Sequence, residues 1–534
     1  MIAFVERAFA DAMAARRSFL RVFVLITALR AWLTAALPFT GDEAYFHLWG
    51  QNPAWGFYDH PPMVGWWLAV LDAVSHHRFV LRLPALFAPP LVAAAGWWVL
   101  RRHGEALAWT GATLLLLVPL NAWNVAITTD IPLMLFGALT VALYLRARAS
   151  GRKADFLAAG LALGGALLSK YFAGLLAIAI FLDMIRRPDR RALTGLVLVV
   201  VGSLPGAAIQ LAWNAQHCWP NVMFNLVNRH ADAGLSWYTP LLYLLSVVYV
   251  LTPAIAWRLA TGRSDGVSAP AARDPRATLR WLALVPLVIF AALSLVKTIG
   301  LHWLASFVLP AVLWFVLSSG ARTRALALAV AGLIAALHWM VIGALALLPT
   351  GAFRSLPTET FRSLPDYQGL VMTVHADELA RALAPWRGRY AIASDGYSPA
   401  ATLGYALGEH VLVFGPGTSH ARHDDILTDF RTLDGHDILV VRRRSQTIAD
   451  EAPYFDRVTS REITIRGAVF HLVEGRGFRY AVYRDRVLDA VRQRHYALPP
   501  WLPSGACFFC DRYFPERPCR RIDDPPADAA SGKS

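Results

Sequence analysis

The chain has 534 residues, of which 56% are hydrophobic and only 16% charged, and its mean hydropathy is +0.42. Soluble globular domains carry about 25% charged residues, so this composition excludes a single soluble domain and points to membrane spans. The net charge of +14 does not signal nucleic-acid binding, because Arg and Lys gather in short loops between apolar blocks and no basic-aromatic surface or known motif accompanies them.

Arg16 and Arg17 precede the first apolar stretch and no small-residue cleavage site follows it, so the first span is expected to be retained. A spanning helix needs about 20 mostly apolar residues. Runs that meet or approach this length lie near 19–37, 81–100, 106–122, 130–146, 155–168, 171–185, 193–213, 238–259, 281–296, 303–319 and 324–347, about eleven in all. After Pro349 charges recur every few residues. The sequence thus divides into a membrane part, 1–348, and a soluble part, 349–534, long enough to bury its own core. In the soluble part, strand-like runs at 390–393, 410–414, 437–441, 462–465 and 480–483 and helical patterns near 375–385 and 398–407 predict a small α/β domain. The tail after Arg521, rich in Pro, Ala, Asp and Ser, reads as disordered.

Alternate loops sort the basic residues. One set holds Arg7, Arg16, Arg17 and Arg21, then Arg101 and Arg102, Arg146, Arg148, Arg152 and Lys153, the arginines of 186–191 and of 258–280, and Arg322 with Arg324. The other holds Arg78, Lys170, Arg229 and Lys297, with Arg82 at a span edge. The asymmetry predicts a cytoplasmic N-terminus and an external C-terminal domain, which in a bacterium means a multi-pass inner-membrane protein with a periplasmic domain. Sidedness does not account for Lys170 and Lys297. A charge near hydrocarbon is costly unless it is paired or lines a polar cavity, so both are candidates for gripping an anion, with snorkelling to the interface as the ordinary alternative.

The sparse side also collects acids and histidines. The first outer loop carries Asp42, Glu43, Asp59 and His60 among Trp49, Trp55, Trp66 and Trp67. Asp130 opens a later span, where it could also serve as an N-cap, as could Asp42. The loop after the seventh span offers His217, Arg229, His230 and Asp232, and His302 follows Lys297. A carboxylate can take the proton of an attacking hydroxyl, and a cation can neutralise charge growing on a departing phosphate. A carboxylate-histidine set can hold a divalent ion bridging that phosphate.

Gly-Asp-Glu-Ala-Tyr from Gly41, Tyr-Asp-His-Pro-Pro-Met-Val from Tyr58, Thr-Thr-Asp-Ile-Pro-Leu from Thr128, Leu-Leu-Ser-Lys-Tyr from Leu167 and Trp-Asn-Ala-Gln-His-Cys-Trp from Trp213 follow one another in order. In these motifs the chain resembles the bacterial branch of the dolichyl-phosphate-mannose protein mannosyltransferase superfamily, whose best-known member is the lipid A aminoarabinose transferase. The likeness runs over roughly residues 20–320. It implies a polytopic α-helical GT-C glycosyltransferase fold with about 11–13 transmembrane helices and a C-terminal soluble α/β domain. It also implies an inverting transfer from a polyprenyl-phosphate sugar at the outer face. The proposed base lands on Asp42, with Glu43 beside it and Asp130 as a further catalytic candidate. His60, Lys170, Arg229, Lys297 and His302 become candidates for substrate or phosphate binding. The acid of an acid-basic-Pro-Pro segment helps hold a metal in the aminoarabinose transferase, which marks Asp59, with His217 and His230 as guesses for its partners. His60 stands where that relative has Lys, and its metal-binding His has no clean match here, so metal dependence stays open.

On the predicted topology Cys218, Cys507, Cys510 and Cys519 share an oxidising compartment, and one disulfide among the last three is an even expectation. The expected partners are the lipid bilayer, a polyprenyl-phosphate-linked sugar donor, and a lipid, glycan or protein acceptor. The rival reading is a transporter or flippase of lipid-linked sugars, against which stand the absence of a convincing repeat and the gathering of polar residues on one face.

Overall fold

The structure is a computed structural model and describes all residues except 123, 187, 229–233, 266–273, 348–366, 416–419, 444–447, 504, 518 and 520–534. The expected disordered tail, Arg229 and His230 lie outside the described residues. The chain forms two compact units. One comprises Met1–Leu37, Pro61–Ile209 and Asp232–Leu347; the other comprises Pro38–His60, Gln210–Ala231 and Leu348–Ser534. Two loops assigned to the membrane part by sequence therefore belong structurally with the C-terminal residues.

Among the described residues seven helices are long and apolar enough to cross a membrane: Ala12–Ala36, Arg78–Leu100, Asp130–Ser150, Arg190–Gln216, Arg276–Ser294, Leu301–Ser318 and Ala321–Ala344. Tyr238–Leu251 and Pro253–Thr261, bent by 111°, make an eighth if counted as one span. The runs expected at 106–122, 155–168 and 171–185 fold as shorter helices, Glu105–Leu116, Lys153–Leu167 and Ala173–Ile185. At 1.5 Å per residue each is about 18–23 Å long, less than the ~30 Å hydrocarbon core.

Lipid offers no hydrophobic drive between helices, so small residues and polar contacts must hold them together. Gly160 and Gly164, one turn apart, face Gly202 and Gly206. A Cβ on Gly202 would lie 2.6 Å from the Leu157 carbonyl oxygen, and one on Gly206 would lie 2.5 Å from that of Gly164. The two backbones touch, and no side chain fits between them. Gly202→Val should cost about 1–3 kcal/mol or more through forced separation of the helices, read as a lower thermal midpoint of the purified protein. Buried arginines serve as polar glue. Arg30 donates to the carbonyls of Asn121, of Ala85 (2.6 Å) and of Asn124 (2.9 Å). Arg82 donates to Thr34 and Leu37 at 3.0 and 2.9 Å, which satisfies carbonyls left open where the Ala12–Ala36 helix ends.

The second unit is built on a five-stranded sheet. Its strands are β1 (Ala391–Ser394), β2 (Leu412–Val413), β3 (Ile438–Arg442), β4 (Phe455–Ile465) and β5 (Ala468–Phe478), in the order β2-β1-β3-β5-β4. β1 runs parallel to β2 and β3, with Ala393 opposite Leu412 and Ala391 opposite Ile438. β5 runs antiparallel to β3 and β4. Central β3 is buried at every position, as expected of a strand covered on both faces. The β4–β5 hairpin turns on Arg466 and Gly467, both at positive φ, the geometry that suits the right-handed twist of paired strands. Residues 480–483, expected as a strand, are helical, and the 468–478 strand was not expected. The Tyr-Ala-Val-Tyr alternation imitates a strand, whereas Tyr483 turns wholly into the core from a helical turn; in β5, consecutive buried residues and two glycines hide the period.

Both disulfides lie in this unit. Cys510 pairs with Cys519, and Cys507 with Cys218 of the Gln210–Ala231 segment across 289 residues of sequence.

Candidate functional site

The Pro38–His60 segment begins with a tightly specified helix. Thr40 caps Gly41–Gln51: its side chain accepts from the Glu43 amide, and Glu43 returns its carboxylate to the Thr40 amide and hydroxyl, both at 3.0 Å. This is a capping box, and it accounts for Glu43 but not for Asp42. Glu43 is fully buried and committed to the helix start, whereas Asp42 is exposed. The cap is thus Thr40, not Asp42. Gly41 lets the helix lie against Tyr397–Leu407, because a Cβ there would overlap the Ser398 hydroxyl. Ring contacts continue the interface: Phe39 on Tyr405 at 4.4 Å and Tyr45 on Tyr397 at 4.9 Å. The packing brings the Tyr397 hydroxyl to 3.3 Å from Asp42 Oδ1. Burial, and next the Asp42 charge, push that phenol up from its ordinary pKa, so it remains a donor to the carboxylate.

The 57–60 stretch has no regular structure, and its backbone groups are satisfied by side chains of the Gln210–Ala231 segment. Asn221 donates to the carbonyls of Phe57 and of Tyr58 (2.8 Å), and Asn225 to that of Asp59 (3.1 Å). On the sheet side, His423 Nδ1 accepts from the Tyr58 amide at 3.3 Å, and the Tyr45 hydroxyl accepts from the His423 amide at 2.8 Å. Asp59 is buried and pairs with Arg422 at 3.3 Å. The Arg422 guanidinium lies between two rings, 4.5 Å from the centroid of Tyr397 and 4.6 Å from that of Phe224. Burial opposes its charge, but Asp59, with Tyr45, Tyr397 and Tyr58, outweighs burial and holds its pKa above the ordinary value. A permanent cation thus sits beside Asp59, and Tyr397 links it to Asp42. Sequence reading missed Arg422, which stands 363 residues from Asp59 with no motif to mark it.

The helical unit holds a second pair. Asp130 begins the Asp130–Ser150 helix, and Lys170 Nζ donates to both of its carboxylate oxygens at 2.8 and 2.9 Å. Both residues are buried, and the ammonium lies 5.2 Å from the Phe172 ring centroid. Thr129, not Asp130, is the N-cap, so the carboxylate is committed to Lys170. Removing one member strands a buried charge. Asp130→Asn or Lys170→Met alone should each cost about 3–5 kcal/mol, and the double variant clearly less than their sum, measured by thermal unfolding as a double-mutant cycle. Lys297 is half-buried and His302 exposed in the same unit.

His217 stacks on Trp213 at 4.4 Å, its Nδ1 bonded to the Trp213 carbonyl at 2.8 Å, and burial lowers its pKa. Among the described residues, no group of three His, Cys, Asp or Glu close enough to share an ion includes Asp59 or His217. Asp59 is engaged by Arg422, so the residues described do not fit a metal centre there, and no step is derived through one.

Seven or more apolar spans among the described residues and a sheet unit define a polytopic helical membrane protein. Residues 59–213 match the family profile of dolichyl-phosphate-mannose-protein mannosyltransferases. The lipid A galacturonosyltransferase RgtD of Rhizobium johnstonii is 26% identical over 274 residues, 48% of this chain and 56% of its own length; the chain thus spans about half the length of that curated relative. ArnT from Cupriavidus metallidurans, in a crystal structure bound to undecaprenyl phosphate, is similar with a TM-score of 0.55 at 14% identity, over 85% of this chain and 97% of that one. Its apo form gives 0.56 at 14% identity, over 86% and 98%. At such identity the structural likeness speaks for the fold. Together these findings give the chain a GT-C fold, similar to that of ArnT, the lipid A aminoarabinose transferase, and a sequence similarity to lipid A glycosyltransferases over part of its length.

Proposed function

We propose that the protein is an inverting glycosyltransferase that moves a sugar from a polyprenyl-phosphate donor to an envelope acceptor at the periplasmic face. The observation that carries this reading is the division of labour in the first loop. Glu43 is held in a buried capping box, whereas Asp42 on the same helix is exposed and accepts a hydrogen bond from Tyr397. Asp42 is the base that takes the acceptor hydroxyl's proton. The leaving group is a phosphate monoester anion, which needs little protonation, so positioning the hydroxyl behind the anomeric carbon is the larger task. Arg422 offers the cation for the developing phosphate charge, and Asp59 orients it. The Asp130–Lys170 pair acts as a positioning element rather than a free phosphate grip. The undecaprenyl phosphate named with ArnT and the lipid A named with RgtD support this choice of donor and an acceptor such as lipid A.

The test is transfer by purified protein supplied with labelled polyprenyl-phosphate sugars and a crude envelope acceptor fraction. Release of carrier phosphate with labelled product supports the transferase. Movement of intact carrier across vesicles without bond cleavage would replace it with the flippase.

A further inference from the structure

The helical unit contains a cavity of about 170 Å³ that the proposed chemistry does not use. It is lined by Arg102, Arg146, Arg148 and Arg186, with Asp274 and an apolar wall that includes Trp98. Arg146 and Arg148 lie near the end of the Asp130–Ser150 helix opposite to Asp130, about 27 Å away at 1.5 Å per residue. We infer that this cavity binds the phosphate of an anionic glycerophospholipid from the leaflet on the arginine-rich side.

Arginines that only mark sidedness would spread into water, whereas these four converge on one space. Two are fixed in place. Arg146 meets Asp155 at 3.1 Å and lies 5.8 Å from the Trp98 ring centroid. Arg186 meets Asp183 at 2.7 Å and lies 5.8 Å from Trp281. Arg148 has only a loose share of Asp183, at 3.9 Å, because that carboxylate already serves Tyr144, Thr278 and Arg186. Arg102 is exposed and shows no hydrogen bond or ion pair among the described residues. Asp274, the acid in the lining, is held by Arg276 at 2.7 Å. Five guanidinium groups thus face three carboxylates, and the local excess is positive. The Arg276–Ser294 helix begins at the cavity with Ala277 and Thr278 in the lining, which adds the positive end of a helix dipole.

Size and surroundings narrow the ligand. The cavity is smaller than the ~300–1,000 Å³ that hold drug-sized molecules, so it suits a headgroup phosphate rather than a whole nucleotide. Ala142, Leu145 and Trp98 supply an apolar side along which acyl chains can lead away between helices, and basic pockets between spanning helices are the usual receptors for such headgroups.

The experiment exchanges the purified full chain into nanodiscs of phosphatidylcholine alone or with phosphatidylglycerol. It reads the lipid retained after transfer to detergent, by native mass spectrometry, and the thermal midpoint. Wild type should retain phosphatidylglycerol selectively and unfold at higher temperature with it. Arg102→Gln and Arg148→Gln should each weaken retention about fivefold, while Arg190→Gln, an exposed arginine outside the lining, should not. Equal retention of both lipids by wild type, or unchanged selectivity in both cavity variants, would overturn the site. Stabilisation by millimolar inorganic phosphate, lost in the same variants but without any lipid preference, would overturn the lipid assignment in favour of a soluble phosphate. Arg102 is exposed, so its variant reports binding even if Arg148→Gln fails to fold.

Discussion

Asp42→Asn is expected to lower turnover with donor by about 10²–10⁴-fold, with membrane insertion and thermal midpoint unchanged. The expectation rests on the contrast with the neighbouring residue. Asp42 is exposed and accepts a hydrogen bond from Tyr397, so an amide of the same shape keeps the helix and removes the proton acceptor. Glu43→Gln should behave the opposite way. Its carboxylate accepts from the Thr40 amide and hydroxyl in a buried cap, and losing a cap typically costs about 1 kcal/mol. That variant should melt earlier and keep its turnover per folded molecule. Transfer rates set against unfolding midpoints for the two variants separate the roles. If Glu43→Gln loses turnover without losing stability while Asp42→Asn keeps turnover, the assignment is reversed. Tyr397→Phe removes the donor that orients Asp42 and should give an intermediate fall in turnover.

The motif-bearing residues were legible in the sequence because their chemistry is local. Gly41 to Tyr45 read as a helix start with an acid pair, and only the identity of the cap was left open. The spans were legible from apolar length, though three of the expected runs form helices shorter than a membrane crossing. What the sequence concealed is long-range. Arg422 lies in a stretch of mixed polarity, and nothing in its neighbourhood marks it as the partner of Asp59; only the ring sandwich of Tyr397 and Phe224 reveals it. Lys170 looked like a lone basic residue in an apolar setting, and the carboxylate that neutralises it stands 40 residues away. Cys218 pairs across 289 residues, a choice no spacing rule makes.

His423 should make the protein acid-sensitive. Burial first, and then the charges of His217 and His410, lower its pKa from the ordinary imidazole value of 6.5 to about 3. The geometry agrees, because Nδ1 accepts from the Tyr58 amide and must keep its lone pair. A folded pKa below the unfolded one means that the unfolded chain binds more protons between the two values. The stabilisation is therefore complete above pH ~6.5 and lost as pH falls toward ~3, an effect of roughly 3–5 kcal/mol for so buried a group. Thermal midpoints of wild type and His423→Gln across that window should converge as pH falls, since Gln can accept the same amide without titrating. Parallel curves would mean that other groups carry the acid response. The consequence reaches the proposed site through one residue: the Tyr58 amide that His423 holds precedes Asp59, so protonation pushes against the backbone that presents Asp59 to Arg422. Turnover should therefore decline on the acid side before global unfolding does, and more steeply in wild type than in His423→Gln.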